Sequence, residues 1–349
     1  MDLGKLDKQG LYTLFFNNLG RQRENIWQGS SFGVDTSIIR LNPKKCLITS
    51  SDPASFIPSL GIKESAWLTV ILTANDIATS GYLPEYAQFV LNLSNTIKEE
   101  ELKEYWRYIH QFCEEIGISI TGGHTGFDDM GNSTLAGGTT MFAIGNNKDV
   151  KSSAFAQPHQ DLILTKSAAL SSASILAKSF PNYVKDNLGD AVYRVLEDSF
   201  YQTGILEELK ILKSTPEIFP KISAMHDVTE GGALGAIYEL CEASQVGVVV
   251  NTDKIFIGKE QNELCRLFQL PPLRCIGAGG LLMACNKEVS DLIVKKLSEH
   301  SILAAVVGET LAPEKGKRMV DATEEKELEY WEKDPYWDAF FQAIKNGLK

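Results

Sequence analysis

Short apolar or β-rich runs alternate with longer stretches of helical spacing twice along this chain, on either side of a polar segment, Asn146–Asp161, that carries Pro158. Such a pattern folds as sheets covered by helices, because each strand and each amphipathic helix must bury a face against another element. In the first half, Cys46–Thr49, Tyr86–Leu93 and Thr139–Ile144 read as strands bounded by turn residues. Between the last two, Leu102, Trp106, Ile109, Cys113 and Ile116 form one apolar stripe, with Asn95 as candidate cap and Gly117 as the stop. In the second half, Asp161–Thr165, Lys221–Met225, Val246–Val250, Gly280–Cys285 and Ile302–Val307 read as strands, and helices are expected over 168–180, 188–200 and 287–300 and from Gly231. The fold class is therefore α/β (α+β) in both halves, with the boundary in the polar segment, giving domains 1–150 and 151–349. A chain of 349 residues with 44% hydrophobic content can fill both cores.

Charge narrows the partners. With 34 Lys and Arg against 45 Asp and Glu the net charge is −11, and no basic block exists to neutralise nucleic-acid phosphates or anchor the chain to an anionic membrane. No apolar window is long enough for a membrane helix, and the opening MDLGKLDKQG lacks a signal sequence, so a cytoplasmic protein is expected. The six cysteines are scattered with no CxxC pair, which suits buried thiols better than zinc or disulfides. A phosphate ligand on so acidic a chain would be held by backbone N–H groups, a few placed cations and a divalent metal.

Three constellations carry candidate chemistry. Asp35, Asp52 and Asp76 are acids at expected element ends that can converge on a hard cation such as Mg2+, although a loop acid, a turn before Pro53 and a helix cap explain them equally in isolation. Ile120–Gly126 (ITGGHTG) reads as a glycine-rich turn after a short strand, whose Gly122, Gly123 and Thr125 would admit a phosphate; His124 in it is either a proton-transfer group or a structural hydrogen-bonding residue. Ser223–Gly235 (SAMHDVTEGGALG) is the sharpest: a strand ends in His226-Asp227, Thr229 is placed to cap, and Gly231-Gly232 open a helix. Its N-terminus would offer N–H groups to a phosphate, or use the glycines for packing.

The series VDTSII, ITSSDP, ANDIATSGYLP, ITGGHT, LTKSA, MHDVTEGGALGAIYELCEASQVGV, GAGGLLMA and VVGET resembles the aminoimidazole ribonucleotide (AIR) synthase-related superfamily, nearest its hydrogenase-maturation branch. The likeness runs from about Gly33 to Thr310, roughly four fifths of the chain. It implies a PurM-like protomer of two α/β domains, the first forming a barrel-like core with a second subunit in a homodimer. It also implies ATP and Mg2+ as cofactors. Carried over residue by residue, Asp35, Asp52 and Asp76 match metal-holding acids. Asn75, Gly122, Gly123, Thr125, Asp227, Thr229, Gly231 and Gly232 match nucleotide-contacting positions, and Lys166 either reaches a phosphate or is solvated. His124 and His226 are the candidate catalytic groups.

The implied activity is phosphorylation, or activation by phosphorylation, of a small-molecule carbonyl, amide or phosphate acceptor with release of ADP. Two alternatives stand beside it: a phosphoribosylformylglycinamidine cyclo-ligase, and a hydrogenase-maturation-like or non-catalytic nucleotide-binding factor with a maturation partner. The chain departs from relatives in its last residues, Ala343–Lys349, where the maturation dehydratases carry a cysteine. It departs again in Ser51–Ser55, where cyclo-ligases carry a DGVGTK-type segment, at His124, where several relatives have Asp, and at Ala169, Ser171 and Ser172, where they often have glycine.

Overall fold

The computed structural model describes residues 4–129 and 134–349. Two sheets are separated by residues 147–160. The first runs in the order β1 (Ile26–Gln28), β2 (Ser37–Arg40), β3 (Lys45–Pro53), β6 (Leu135–Asn146), β4 (Tyr86–Ser94) and β5 (Ser119–Asp128). On β4 the alternation is plain: Ala87, Phe89, Leu91 and Leu93 are buried, while Tyr86, Gln88 and Val90 are exposed. One face is thus covered by the helices Ile62–Thr79 and Glu99–Ile116 and the other is open. The second helix begins later than Asn95 suggests, because Glu101 accepts the Lys98 backbone N–H at 2.9 Å and fixes the start there; it ends at left-handed Gly117.

The second sheet, in the order β13 (Glu325–Glu327), β12 (Lys317–Val320), β9 (Gly247–Asn251), β11 (Ala304–Leu311), β7 (Asp161–Thr165), β10 (Leu281–Cys285) and β8 (Ile222–Asp227), is buried on both faces at its centre. That is why β7, β8 and β10 read as nearly continuous apolar runs. Their alternate residues serve different cores. Ile163, Met225, Leu281 and Met283 join the core that contains the first domain, whereas Leu162, Leu164, Ala224, Leu282 and Ala284 pack under the helix Gly232–Ala243. The first domain is therefore docked on one face of the second domain's sheet, through the helix Ile62–Thr79. No helix of the described residues is long and apolar enough to cross a membrane, and all six cysteines are buried and free.

The segment Ile120–Gly126 is not a turn. It lies inside β5, parallel to β4, and a side chain at Gly123 would place its Cβ 1.8 Å from the Phe89 carbonyl oxygen, so this glycine serves close strand pairing. Ile77, fully buried in the shared core, tests the docking arrangement. Ile77→Ala is expected to lower unfolding stability by about 2–5 kcal/mol in urea titration, and a loss below about 1 kcal/mol would contradict the packing described.

Candidate metal and phosphate site

The site forms where the two domains meet. The strand β8 ends with His226 and Asp227, both 2% exposed. Asp35 arrives on a loop of the first domain whose Gly33 lies against the helix Gly232–Ala243: a Cβ there would sit 2.4 Å from the Glu239 carbonyl oxygen, and φ is +73°. Only glycine permits that approach, and it sets Asp35 beside His226. His226 Nδ1 lies 2.7 Å from Asp35 Oδ1 and Nε2 lies 3.0 Å from Glu239 Oε2. Tyr330 donates its hydroxyl to Glu239 Oε1 at 3.0 Å, and Ser153 donates to Asp35 Oδ2 at 3.2 Å. Burial opposes the charge on His226, but the two carboxylates outweigh it and raise its pKa to about 10. Both ring nitrogens then carry protons toward carboxylates, and the geometry fixes His226 as an imidazolium between Asp35 and Glu239.

Asp52 near the end of β3, Asp76 in the last turn of the helix Ile62–Thr79, and Asp227 complete the acid cluster. Ser50 donates to Asp76 Oδ2 at 2.7 Å. Burial, then the charges of Asp52, Asp227 and Asp35, hold Asp76 well above the usual carboxylate range. Burial raises Asp52 as well, and burial together with Asp35 pushes Asp227 up to about 8. Asp227 Oδ2 is buried without a hydrogen-bond partner. Ligand-capable atoms of Asp35, His226 and Asp227 lie within 4.8 Å of one another, although the imidazole is already engaged at both nitrogens. Asp35 and Asp227 at this spacing, the latter with an orphaned oxygen and both within the electrostatic reach of Asp52 and Asp76, offer oxygen donors that suit Mg2+ or Mn2+.

The other sequence candidates have different positions. Gly231 is the N-cap of the helix Gly232–Ala243, with φ of +83°, and its N–H donates to Asp334 Oδ2 at 2.7 Å. A Cβ on Gly232 would meet the Leu273 and Cys275 carbonyl oxygens at 2.8 Å, so backbone packing requires this glycine. Thr229 caps no helix; its hydroxyl accepts from Lys5 Nζ at 3.0 Å. Asn75 is fully buried, donating to the Thr203 carbonyl at 2.9 Å and accepting from the Ile205 N–H at 3.0 Å. Lys166 converges on the same loop, 2.6 Å from the Gly204 carbonyl and 2.7 Å from buried Glu208. Gly122, Gly123, His124 and Thr125 lie on β5, separated from Asp52 by β6 and β4, about 14 Å across the sheet at ordinary strand spacing. The protomer does not bring them to the acids.

Sequence reasoning missed Glu239, Tyr330, Ser153, Asp334 and Lys5. Only Glu239 left a local signal, as an acid among the buried residues Ile237, Leu240 and Cys241 of its helix.

Residues 33–144 match the AIR synthase related protein N-terminal domain and residues 157–321 the AIR synthase related protein C-terminal domain. A putative hydrogenase expression/formation protein of Methanocaldococcus jannaschii is 25% identical over 258 residues, 71% of each chain. The selenide, water dikinase of Methanococcus maripaludis is 29% identical over 222 residues, 59% of this chain and 62% of that protein. Among solved structures, the HypE–HypF complex aligns with a TM-score of 0.71 at 15% identity, covering 92% of this chain and 99% of the other. The structure titled AaThiL complexed with AMPPCP and TMP aligns at 0.70 with 16% identity, covering 96% and 97%.

The raised carboxylates and the imidazolium all act in one direction. The native state keeps a proton on Asp227 up to about pH 8, which the unfolded chain releases near 3.8, and keeps one on His226 up to about 10 against 6.5 unfolded. Stability from both groups is present below the unfolded values and is lost as pH rises through those windows. The melting temperature without metal is expected to fall from about pH 5 to about pH 9, and added Mg2+, which displaces the protons, should stabilise most at the alkaline end. Melts with no pH trend and no Mg2+ response would contradict the cluster's electrostatics. With its two matched domains in order, the chain belongs to the AIR synthase related protein family.

Proposed function

We propose that this protein is an ATP- and Mg2+-dependent enzyme of the cytoplasm that phosphorylates, or activates by phosphorylation, a small-molecule carbonyl, amide or phosphate acceptor, releasing ADP. The observation that carries the reading is the buried, unpartnered Asp227 Oδ2 beside Asp35 and within the electrostatic reach of Asp52 and Asp76, because buried carboxylates grouped this way call for a divalent cation. Relatives and structural neighbours whose names include a dikinase and a nucleotide complex support it. Asp35, Asp52, Asp76 and Asp227 would hold Mg2+, which when bound neutralises phosphate charge and organises a transferring phosphoryl group. His226, fixed between Asp35 and Glu239, keeps Asp35 oriented toward the cluster, and Tyr330 and Ser153 fix the ends of that chain. Asn75 and Lys166 set the loop 202–205 at the domain interface.

Calorimetry with MgATP tests the binding step. Wild type is expected to bind, and Asp52→Asn and Asp76→Asn to weaken binding about tenfold or more; unchanged affinity in both variants rejects the assignment. ADP release across a panel of amides, phosphates and amines then identifies the acceptor.

The site is proposed to work in a homodimer. The edge strand β5 offers an open row of backbone groups, and Phe127 on it is 60% exposed, with Val90 on the neighbouring β4 41% exposed. Pairing with a second copy along this edge would cover both and would bring Gly122–Thr125 to an interface. Phe127→Lys is expected to sediment as a monomer, and a dimer that survives this change would place the interface elsewhere.

A further inference from the structure

The N-terminal segment crosses the second domain and brings one ammonium group to Thr229, two residues beyond Asp227. The Lys5 N–H donates to Glu230 Oε2 at 2.9 Å, and the Lys8 N–H donates to Glu332 Oε2 at 3.1 Å. Lys8 Nζ pairs with Glu242 beside the rings of Phe32 and Tyr238. On the other side, Gly4 has φ of +101° and approaches so closely that a Cβ would lie 2.9 Å from Trp337 Nε1. The backbone around Lys5 is thus pinned at four places, and its side chain is aimed, not trailing.

What the ammonium touches is informative. Its one hydrogen bond among the described residues goes to Thr229 Oγ1 at 3.0 Å, which leaves two of its three N–H donors open. Nearby Glu239 and Glu230, then Tyr330 and Asp227, hold its pKa above the ordinary lysine value. Lys5 also appears among the charges that act on Asp52, where it lowers the pKa, and on Asp227 in the same sense. An exposed ammonium with donors open to solvent, held beside Thr229 two residues from Asp227, is placed to meet an anion bound to a cation that the carboxylates hold.

We propose that Lys5 is a phosphate-positioning residue, brought by the N-terminal segment to a polyphosphate held over the acid cluster. This rests on the reading of the cluster as a metal–nucleotide site. Without the anion, the same ammonium partly neutralises the acids and so competes electrostatically with a divalent cation. The proposal therefore gives one residue two effects of opposite sign, which a merely structural role does not.

Calorimetry on the full chain separates them, with Mn2+ alone as one probe and inorganic triphosphate with Mg2+ as the other. In Lys5→Met, Mn2+ is expected to bind a few-fold tighter, because a nearby positive charge is gone. Triphosphate is expected to bind about tenfold more weakly, because charge-assisted hydrogen bonds are lost. Lys5→Arg should keep triphosphate binding within a few-fold of wild type. Triphosphate affinity unchanged in Lys5→Met, or an equal loss for both probes, overturns the proposal while the metal–nucleotide reading stands. A wild-type protein that binds neither probe overturns both.

Discussion

A buried imidazolium held between two carboxylates joins the halves of this molecule. Asp35 belongs to the first domain, and His226 and Glu239 to the second, so the buried chain Asp35–His226–Glu239 crosses the domain boundary. A buried ion pair costs desolvation that its own attraction barely offsets, and its value lies in specifying one arrangement among several. Here each member is supported further, Asp35 by Ser153 and Glu239 by Tyr330, and the close contact of Gly33 with Glu239 leaves no room for a different approach. Satisfying every member in this way is what makes such a network fix geometry.

The charge that remains is deliberately unbalanced. His226 and Lys5 are the nearby cations for Asp35, Asp52, Asp76, Asp227, Glu230 and Glu239. Folding such a cluster is unfavourable on its own, so the stability comes from elsewhere, from the shared core in which Ile163, Met225 and Met283 of one sheet meet Ile48, Ile77 and Met141 of the other domain. That division of labour is usual at functional sites, where local strain is tolerated because the surrounding packing over-determines it.

Much of this architecture was legible in the residues. The strand β7 was read to the residue, and β4, β8, β9 and β10 to within one or two, because continuous or alternating apolar runs bounded by turns have few other solutions. Where the structure differs, the causes are physical. The glycines at 122–123 suggest a turn because a Gly pair usually makes one; only the strand beside them, with the Phe89 carbonyl in the way, explains them otherwise. The cap at Asn95 lost to a side chain, Glu101, that reaches back to Lys98. Tyr330 and Asp334 come to the site from the acidic stretch 323–334, where nothing in the local pattern distinguishes those two from their exposed neighbours. Residues that act through contacts more than 90 positions apart leave no periodicity to find.

Asp334 joins two elements with one carboxylate. Its Oδ1 accepts from the Tyr336 N–H at 2.8 Å and so starts the helix Pro335–Lys345, while its Oδ2 holds the Gly231 N–H at the head of the helix Gly232–Ala243. The last helix is consequently geared to the glycine turn beside His226 and Asp227. Displacing the last helix would therefore pull directly on the turn that leads from Asp227 into the helix Gly232–Ala243.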